Sequence, residues 1–288
     1  MKKSNKEING ALRVAIQGIA GSFHDAAARR HFGSRIRLVE CLTFQEVFES
    51  LRQGRADRAV VAIENSIAGS ILPNYSLLQR YAFRITGELY LPVHFHLMAL
   101  KGVRLGDIRV VESHPMALAQ CADFLHQLNG IQVRECDDTA LAAKLIGQRK
   151  LKTVAALASE VAARHYGLNI LARNVETHHK NFTRFLVLEN QPGQITSANK
   201  ASMCFEVANR PGSLADVLQV LSAHRINLTK IQSVPLLGRP QEYTIHIDVE
   251  WTQRRQFEEA LRKMIRHVNN LSILGEYEKG KPEHHAPQ

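Results

Sequence analysis

The segment Thr43–Asn65, TFQEVFESLRQGRADRAVVAIEN, decides the fold. Its first half reads as a helix: Thr43 suits the N-cap, Glu46 follows three residues later, and Gly54 closes it. Ala59-Val60-Val61-Ala62-Ile63 then reads as a buried strand, which stops at the polar pair Glu64-Asn65. Outward from here, LRVAIQG at 12–18 is a short buried strand followed by the loop IAGS and an alanine-rich helix from about Phe23 to Phe32. Arg37-Leu38-Val39-Glu40 adds a second strand. Strand–helix–strand–helix–strand predicts an α/β sheet with parallel strands.

Past a long extended piece, ITGELYLPVHFHLMAL, the same rhythm restarts. IRVVES, IQVREC and TVAALAS read as strands, separated by the helices HPMALAQCADFLHQL and DDTALAAKLIGQ, and the chain then reaches NFTRFLVL. Two such units joined by crossing strands predict two lobes, roughly 12–92 with 180–189, and 93–179. NQPGQITSANK (190–200) is polar with Pro and Gly and marks a linker over 190–199. Residues 200–277 then give strand, helix, two strands, helix and strand, the βαββαβ order of a ferredoxin-like α+β unit. The end, 278–288, is expected to be disordered.

The 288 residues suffice for two domains, and the apolar and charged fractions are those of a globular protein. The start lacks the apolar core of a secretory signal, and no stretch reaches the ~20 apolar residues of a membrane span. Four scattered cysteines without a CxxC pair suit a reducing cytoplasm. The net charge of +10 comes from Lys and Arg spread along the chain with few aromatics among them. That pattern argues against nucleic acid and is compatible with a small anionic ligand. No histidine pair has metal-ligand spacing, and neither a nucleophile elbow nor a phosphate-binding glycine loop is present, so no metal or cofactor is expected.

Ligands in such sheets bind at the carboxyl ends of strands. Four polar clusters fall there. Gly18–Phe23 is a glycine turn between strand and helix, and Glu64-Asn65-Ser66 with Gly69 and Ser70 leaves a buried strand. Ser113-His114-Pro115 opens a helix with Ser113 as a plausible cap and Gln120 two turns along; Asp138-Thr139-Ala140 repeats the arrangement. The last cluster is Asn181-Phe182-Thr183-Arg184-Phe185. Alone, the first clusters read equally as turns or capped helix starts, and the Thr183 cluster reads first as an ordinary strand.

In order and together, the Gly-Ser-Phe turn at 21–23, Glu64-Asn65-Ser66 with Gly69, Ser113-His114-Pro115 with Gln120, and Asn181-x-Thr183-Arg184-Phe185 resemble the prephenate dehydratases, over about residues 12–277. The βαββαβ unit, with Arg210-Pro211-Gly212-Ser213-Leu214-Ala215, looks like the ACT domain that follows catalysis in that family. The resemblance implies a two-lobed, periplasmic-binding-protein-like catalytic domain at 12–189 and an ACT domain at 200–277. It implies a cofactor-free loss of water and carbon dioxide from prephenate, control by phenylalanine, and a homodimer or homotetramer. Carried over residue by residue, Thr183 is the hydroxyl serving the departing OH, with Glu64 as the acid that polarises it and Asn65 as an orienting catalytic partner. Ser22, Ser66, Ser113, His114, Gln120, Thr139, Arg184 and Phe185 are assigned to substrate, Arg184 either to a carboxylate or to structure. Gly212, Ser213, Leu214, Ala215, Gln232 and Ser233 are assigned to the effector. Where the family usually carries Glu-Ser-Arg-Pro, this chain has Gln232-Ser233-Val234-Pro235, which puts the form of feedback in question. Because the catalytic pattern begins about twelve residues in, a monofunctional enzyme is expected. Arogenate dehydratase and a non-catalytic two-lobed ligand sensor are the rival readings.

Overall fold

The computed structural model describes residues 10–190, 197–236 and 238–281. Along the chain run β1 (Leu12–Gln17), α1 (Phe23–Phe32), β2 (Ile36–Cys41), α2 (Phe44–Arg52), β3 (Arg58–Asn65), β4 (Gly69–Ser70), α3 (Leu72–Tyr81), β5 (Arg84–Pro92) and β6 (His96–Ala99). β7 (Val110–Ser113), α4 (Pro115–Gln120), α5 (Ala122–His126), β8 (Gln132–Glu135), α6 (Thr139–Arg149), β9 (Val154–Ala158), α7 (Glu160–Tyr166), β10 (Asn169–Ala172) and β11 (Phe182–Glu189) follow. The last six are β12 (Lys200–Glu206), α8 (Ser213–Ala223), β13 (Asn227–Pro235), β14 (Tyr243–Glu250), α9 (Arg254–Met264) and β15 (Asn269–Tyr277). Among the described residues, those up to 60, with 65–67 and 91–183, form one compact unit; those at 61–64, 68–90 and from 184 onward form another.

In the first unit β1 pairs in parallel with β2, Leu12 opposite Ile36, and with the start of β3, Val14 opposite Arg58. The helical crossovers enforce this, since a tight turn cannot join parallel strands. α2 starts as its sequence predicts: Thr43 Oγ1 accepts from Glu46 N at 3.2 Å, and Glu46 Oε2 accepts from Leu42 N at 2.8 Å. It buries Val47, Phe48 and Leu51, each worth about 1.5–3 kcal/mol. A second sheet in this unit has the order β10-β6-β9-β7-β8, with β7 parallel to β8 and β9, and β6 antiparallel to β9 and β10. Strand alternation sends Leu97 and Leu157 into one apolar cluster and Met98, Ala156 and Ala158 into another. Both faces of this sheet are therefore packed.

In the second unit the rest of β3 neighbours β11, and β11 neighbours β5. The βαββαβ segment forms a sheet of order β13-β14-β12-β15, its helix-covered face built from Ala201, Met203, Phe205, Ile247 and Val249, against which Phe257 and Met264 of α9 pack. Trp251 stacks on Phe257 with ring centroids 4.0 Å apart. The fold class is thus α/β followed by a ferredoxin-like α+β unit, with two α/β sheets before residue 190. The tail expectation needs correcting at its start. Lys279 N donates to Asn199 Oδ1 and Gly280 N to Glu88 Oε1, so these backbone groups are tied down. Residues 191–196 of the expected linker and 282–288 of the expected tail lie outside the described residues.

Candidate active site

Thr183 is the second residue of β11, 9% exposed. Its Oγ1 accepts a hydrogen bond from Asn65 Nδ2 at 3.0 Å. The same Asn65 amide donates to Asn181 Oδ1 at 2.7 Å, and Asn181 Nδ2 donates to Gln120 Oε1 at 3.0 Å. Asn65 Oδ1 accepts from Ile67 N at 3.0 Å, which fixes the amide so that its NH₂ end faces Thr183. A chain Gln120–Asn181–Asn65–Thr183 results. It ends on a hydroxyl that accepts one bond and keeps its own proton to donate. Accepting the Asn65 bond makes the Thr183 hydroxyl the better donor, while Asn181 and Gln120, to which the donation runs the other way, hold the Asn65 amide in place. Ser66 braces the loop: its Oγ accepts from Phe182 N at 2.9 Å, and its N donates to Phe182 O at 2.9 Å.

Three expectations change here. Glu64 was to polarise Thr183; instead its Oε1 accepts from Lys230 Nζ at 2.6 Å, and Lys230 also donates to Ser70 Oγ at 2.7 Å. Successive side chains of a strand point to opposite faces, so Glu64 and Asn65 do not share a partner, and it is Asn65 that meets Thr183. Arg184, weighed as a carboxylate binder, is 4% exposed, its guanidinium committed to Glu88 Oε2 at 2.6 Å, to Asp248 and to Tyr277 Oη at 3.2 Å. Burial works against its charge, but Asp248, Tyr277 and Glu88 outweigh that and raise its pKa well above the ordinary value. Phe185 is buried core of β11 at 1% exposure, out of reach of a ligand.

The turn after β1 is held from outside. Ser159 Oγ donates to Gly21 O at 2.8 Å and Tyr166 Oη to Ala20 O at 2.6 Å. Gly21 has φ +87° and lies against α7, where a Cβ would sit 3.1 Å from Ala162 Cα. Ser22 is the N-cap of α1, accepting from Asp25 N at 3.2 Å. Ser113 is not a helix cap: wholly buried, it donates to Leu157 O at 2.6 Å, which removes it from substrate contact. The helix starts one residue later, with His114 Nδ1 accepting from Met116 N at 3.2 Å. Thr139 is half-buried as the first residue of α6, capped by Asp138.

Asn181, wholly buried at the centre of the chain of amides, is a site residue that the sequence motif alone gives no role. Its signal was the polar residue just before an apolar strand. Glu176 gave no local signal. It is 2% exposed, its Oε1 lies 2.7 Å from His94 Nδ1, and its Oε2 accepts from Phe95 N at 2.9 Å. Burial would raise its carboxyl, but these hydrogen bonds prevail and hold it below the ordinary carboxylate value. Among the described residues no group of three or more His, Cys, Asp or Glu is placed to hold a metal ion, and no helix is long and apolar enough to cross a membrane.

In the βαββαβ unit a cavity of about 670 Å³ opens at the start of α8, lined by Gly212, Ser213, Leu214 and Ala215 together with Leu236 and Tyr243. Gly212 takes φ +85° to turn the chain into the helix. Gln232 and Ser233, expected at the effector, do not line this cavity. They lie within β13, upstream of Leu236, and Gln232 Nε2 donates to Ser233 O at 2.9 Å.

Residues 14–193 match the family model described as prephenate dehydratase, and residues 204–266 match that of the ACT domain. The chain is 40% identical to "Arogenate dehydratase/prephenate dehydratase 2, chloroplastic" of Arabidopsis thaliana, covering 93% of this chain and 74% of that protein. The fold is similar to the solved prephenate dehydratase of Arthrobacter aurescens in complex with L-Phe: 27% identity, TM-score 0.83, 93% of this chain and 90% of that one. It is also similar to a solved protein described as a novel type of quorum quenching acylase, with 31% identity, TM-score 0.83 and coverage of 93% and 97%.

Proposed function

The chain belongs to the prephenate dehydratase family, and from that premise we propose that it converts prephenate to phenylpyruvate by decarboxylative dehydration. The ring carboxylate leaves as carbon dioxide, its C–C electron pair enters the ring, and the 4-hydroxyl departs as water with a proton supplied from the enzyme side. Aromatisation drives the step, so the enzyme's task is to assist a poor leaving group and hold the substrate fixed. The observation that carries the reading is the Asn65 amide on Thr183 Oγ1, at the end of a chain from Gln120 through Asn181. It supports Thr183 as the donor to the departing hydroxyl and Asn65 as the group that aims it. Ser22, Ser66, His114, Gln120 and Thr139 are assigned to the substrate's surroundings.

Catalysis belongs to residues 12–189 and regulation to 200–277. Phenylalanine is the proposed effector, taken into the cavity at the start of α8. Isothermal calorimetry with phenylalanine tests this; absence of heat and of any change in activity leaves the unit without that effector. The reading includes a reducing, cytoplasmic setting, which the four free thiols support, and a homodimer or homotetramer. The decisive assay is turnover of prephenate by the purified protein and by Thr183→Val. The variant should lose about 10²–10⁴-fold in kcat with its fold intact. Near-normal turnover by the variant would remove Thr183 from the chemistry, and absence of phenylpyruvate from the unaltered protein would remove the function.

A further inference from the structure

Residues 173–181 join β10 to β11 without helix or strand. Their middle, 177–180, is exposed, yet the residues on either side are buried: Glu176 at 2% and Asn181 wholly. Without a ladder, the course of this stretch is set by single hydrogen bonds, and several run to one short piece, residues 93–95. Val93 N donates to Asn181 O at 2.8 Å, and Val175 N donates to Phe95 O at 2.9 Å. Between these two ties, Glu176 Oε2 accepts from Phe95 N at 2.9 Å, and its Oε1 lies 2.7 Å from His94 Nδ1 and 3.5 Å from His179 Nδ1. The carboxylate thus takes the place of a strand neighbour: it satisfies a buried backbone N–H that would otherwise be costly to leave unpaired.

Thr177, the next residue, donates from its N to Gln120 O at 2.8 Å, and Asn181 Nδ2 donates to Gln120 Oε1 at 3.0 Å. Gln120 is the last residue of α4, a helix of six residues, so bonds from outside the helix set where its side chain lies. The 173–181 stretch grips it twice, at the carbonyl and at the side-chain amide, and Glu176 anchors that stretch one residue before the first grip. From Asn181 the connection continues: its Oδ1 holds the Asn65 amide that bonds Thr183 Oγ1. The anchor depends on reach as well as charge. A glutamate spans from its own backbone to both Phe95 N and His94, and an aspartate, one methylene shorter, cannot hold both. Displacing a reacting group by about 1 Å from a distance can cost 10²-fold in rate.

We propose that Glu176 is a positioning residue for the dehydration: by anchoring 173–181 on residues 93–95 it holds Gln120 and Asn181, and through them the Asn65 amide, in place on Thr183. It acts through these residues and does not meet the substrate. The inference rests on the dehydratase reading, and the test keeps the two apart. Steady-state kinetics with prephenate, with melting temperatures alongside, are measured on the unaltered protein, on Glu176→Asp, Glu176→Gln and Gln120→Ala, and on the double variant Glu176→Asp with Gln120→Ala. Glu176→Asp keeps the charge and loses the reach; kcat should fall about ten-fold to 10²-fold with KM within about three-fold. Glu176→Gln keeps the reach and should retain at least about a third of kcat, and a loss of ten-fold or more in that variant overturns the inference. In the Gln120→Ala background Glu176→Asp should cost less than about two-fold in kcat, because the group it acts through is gone. An equal loss in both backgrounds overturns the inference, as does a Glu176→Asp variant whose melting temperature falls while its kcat stays within two-fold of the unaltered protein. An unaltered protein that leaves prephenate untouched overturns the dehydratase reading itself.

Discussion

Arg184→Met separates a structural arginine from a substrate-binding one. The guanidinium sits among two carboxylates, Glu88 and Asp248, that are 6% and 7% exposed. Glu88 is also served by Lys200 Nζ at 3.0 Å, and Asp248 by the Ser202 hydroxyl. Lys200 is shared between Glu88 and Glu250, so removing Arg184 leaves the buried Asp248 carboxylate without a cation among the described residues. Breaking a buried ion pair in this way costs about 3–5 kcal/mol. At roughly 2–4 °C per kcal/mol for a domain of this size, the melting temperature should fall by about 6–20 °C. Differential scanning calorimetry reads the drop, and 0.5 M salt should not abolish it, because buried pairs are weakly screened. Below its melting point the folded variant should keep KM for prephenate within about three-fold, on the reasoning that the side chain never meets substrate. The opposite pattern, a melting temperature within about 2 °C of the unaltered protein and a KM raised more than ten-fold, would refute this and return Arg184 to a substrate carboxylate.

Glu176 should make stability pH-dependent. Its folded pKa lies below the ordinary value of 4.5, so its stabilisation is complete above that value and is lost as pH falls through the folded one. Glu176→Gln should therefore lower the urea midpoint at pH 7, and the difference should narrow as pH falls below 4.5; a gap constant between pH 7 and pH 3 would count against the assignment. Lys230→Met strips Glu64 and Ser70 of a shared cation and should cost roughly 1.5–3 kcal/mol in urea unfolding. Lys230→Arg should restore part of the loss, and an unchanged midpoint in the Met variant would show that the pair contributes nothing.

The elements that could be read from the sequence are those whose causes are local. Thr43 with Glu46 starts α2 because both partners lie within one turn, and the apolar run at 59–63 is a strand in any sheet buried on both faces. The polar strand ends likewise singled out Asn65 and Thr183, and Gln120 two turns along a helix, which hydrogen bonds through Asn181 bring together. What could not be read was set by partners far along the chain. Arg184 beside Thr183 looks the same whether it meets a ligand or a buried acid, and its acids lie 96 and 64 residues away. The Glu64-Asn65 pair shows the same limit in miniature. Alternation dictates that only one of them faces Thr183, but which one follows from Lys230, which is 166 residues from Glu64. Ser113 was misread by one residue, because a serine before His-Pro caps a helix as plausibly as the histidine does.

The alternation of the βαββαβ strands carries a consequence for control. Ala201, Met203 and Phe205 point toward the helices, whereas Lys200 and Ser202 point to the other face of the same sheet, as do His246 and Asp248 of β14. A two-layer unit of this kind ordinarily leaves that second face to water. Here all four are buried, and buried charge requires partners. They come from Glu88 of β5 and Arg184 of β11, while Gly275 of β15 lacks a Cβ where the Ile85 carbonyl of β5 packs. The sheet of the βαββαβ unit is thus bonded to β11 through Arg184. Arg184 follows Thr183 directly in the chain, so any rearrangement of the sheet that moved Asp248 or Lys200 would act one peptide away from the candidate catalytic hydroxyl. The effector proposed at the start of α8 need not approach the substrate to alter turnover. It need only favour one packing of a charged face that cannot shift by small steps without leaving a charge unpaired.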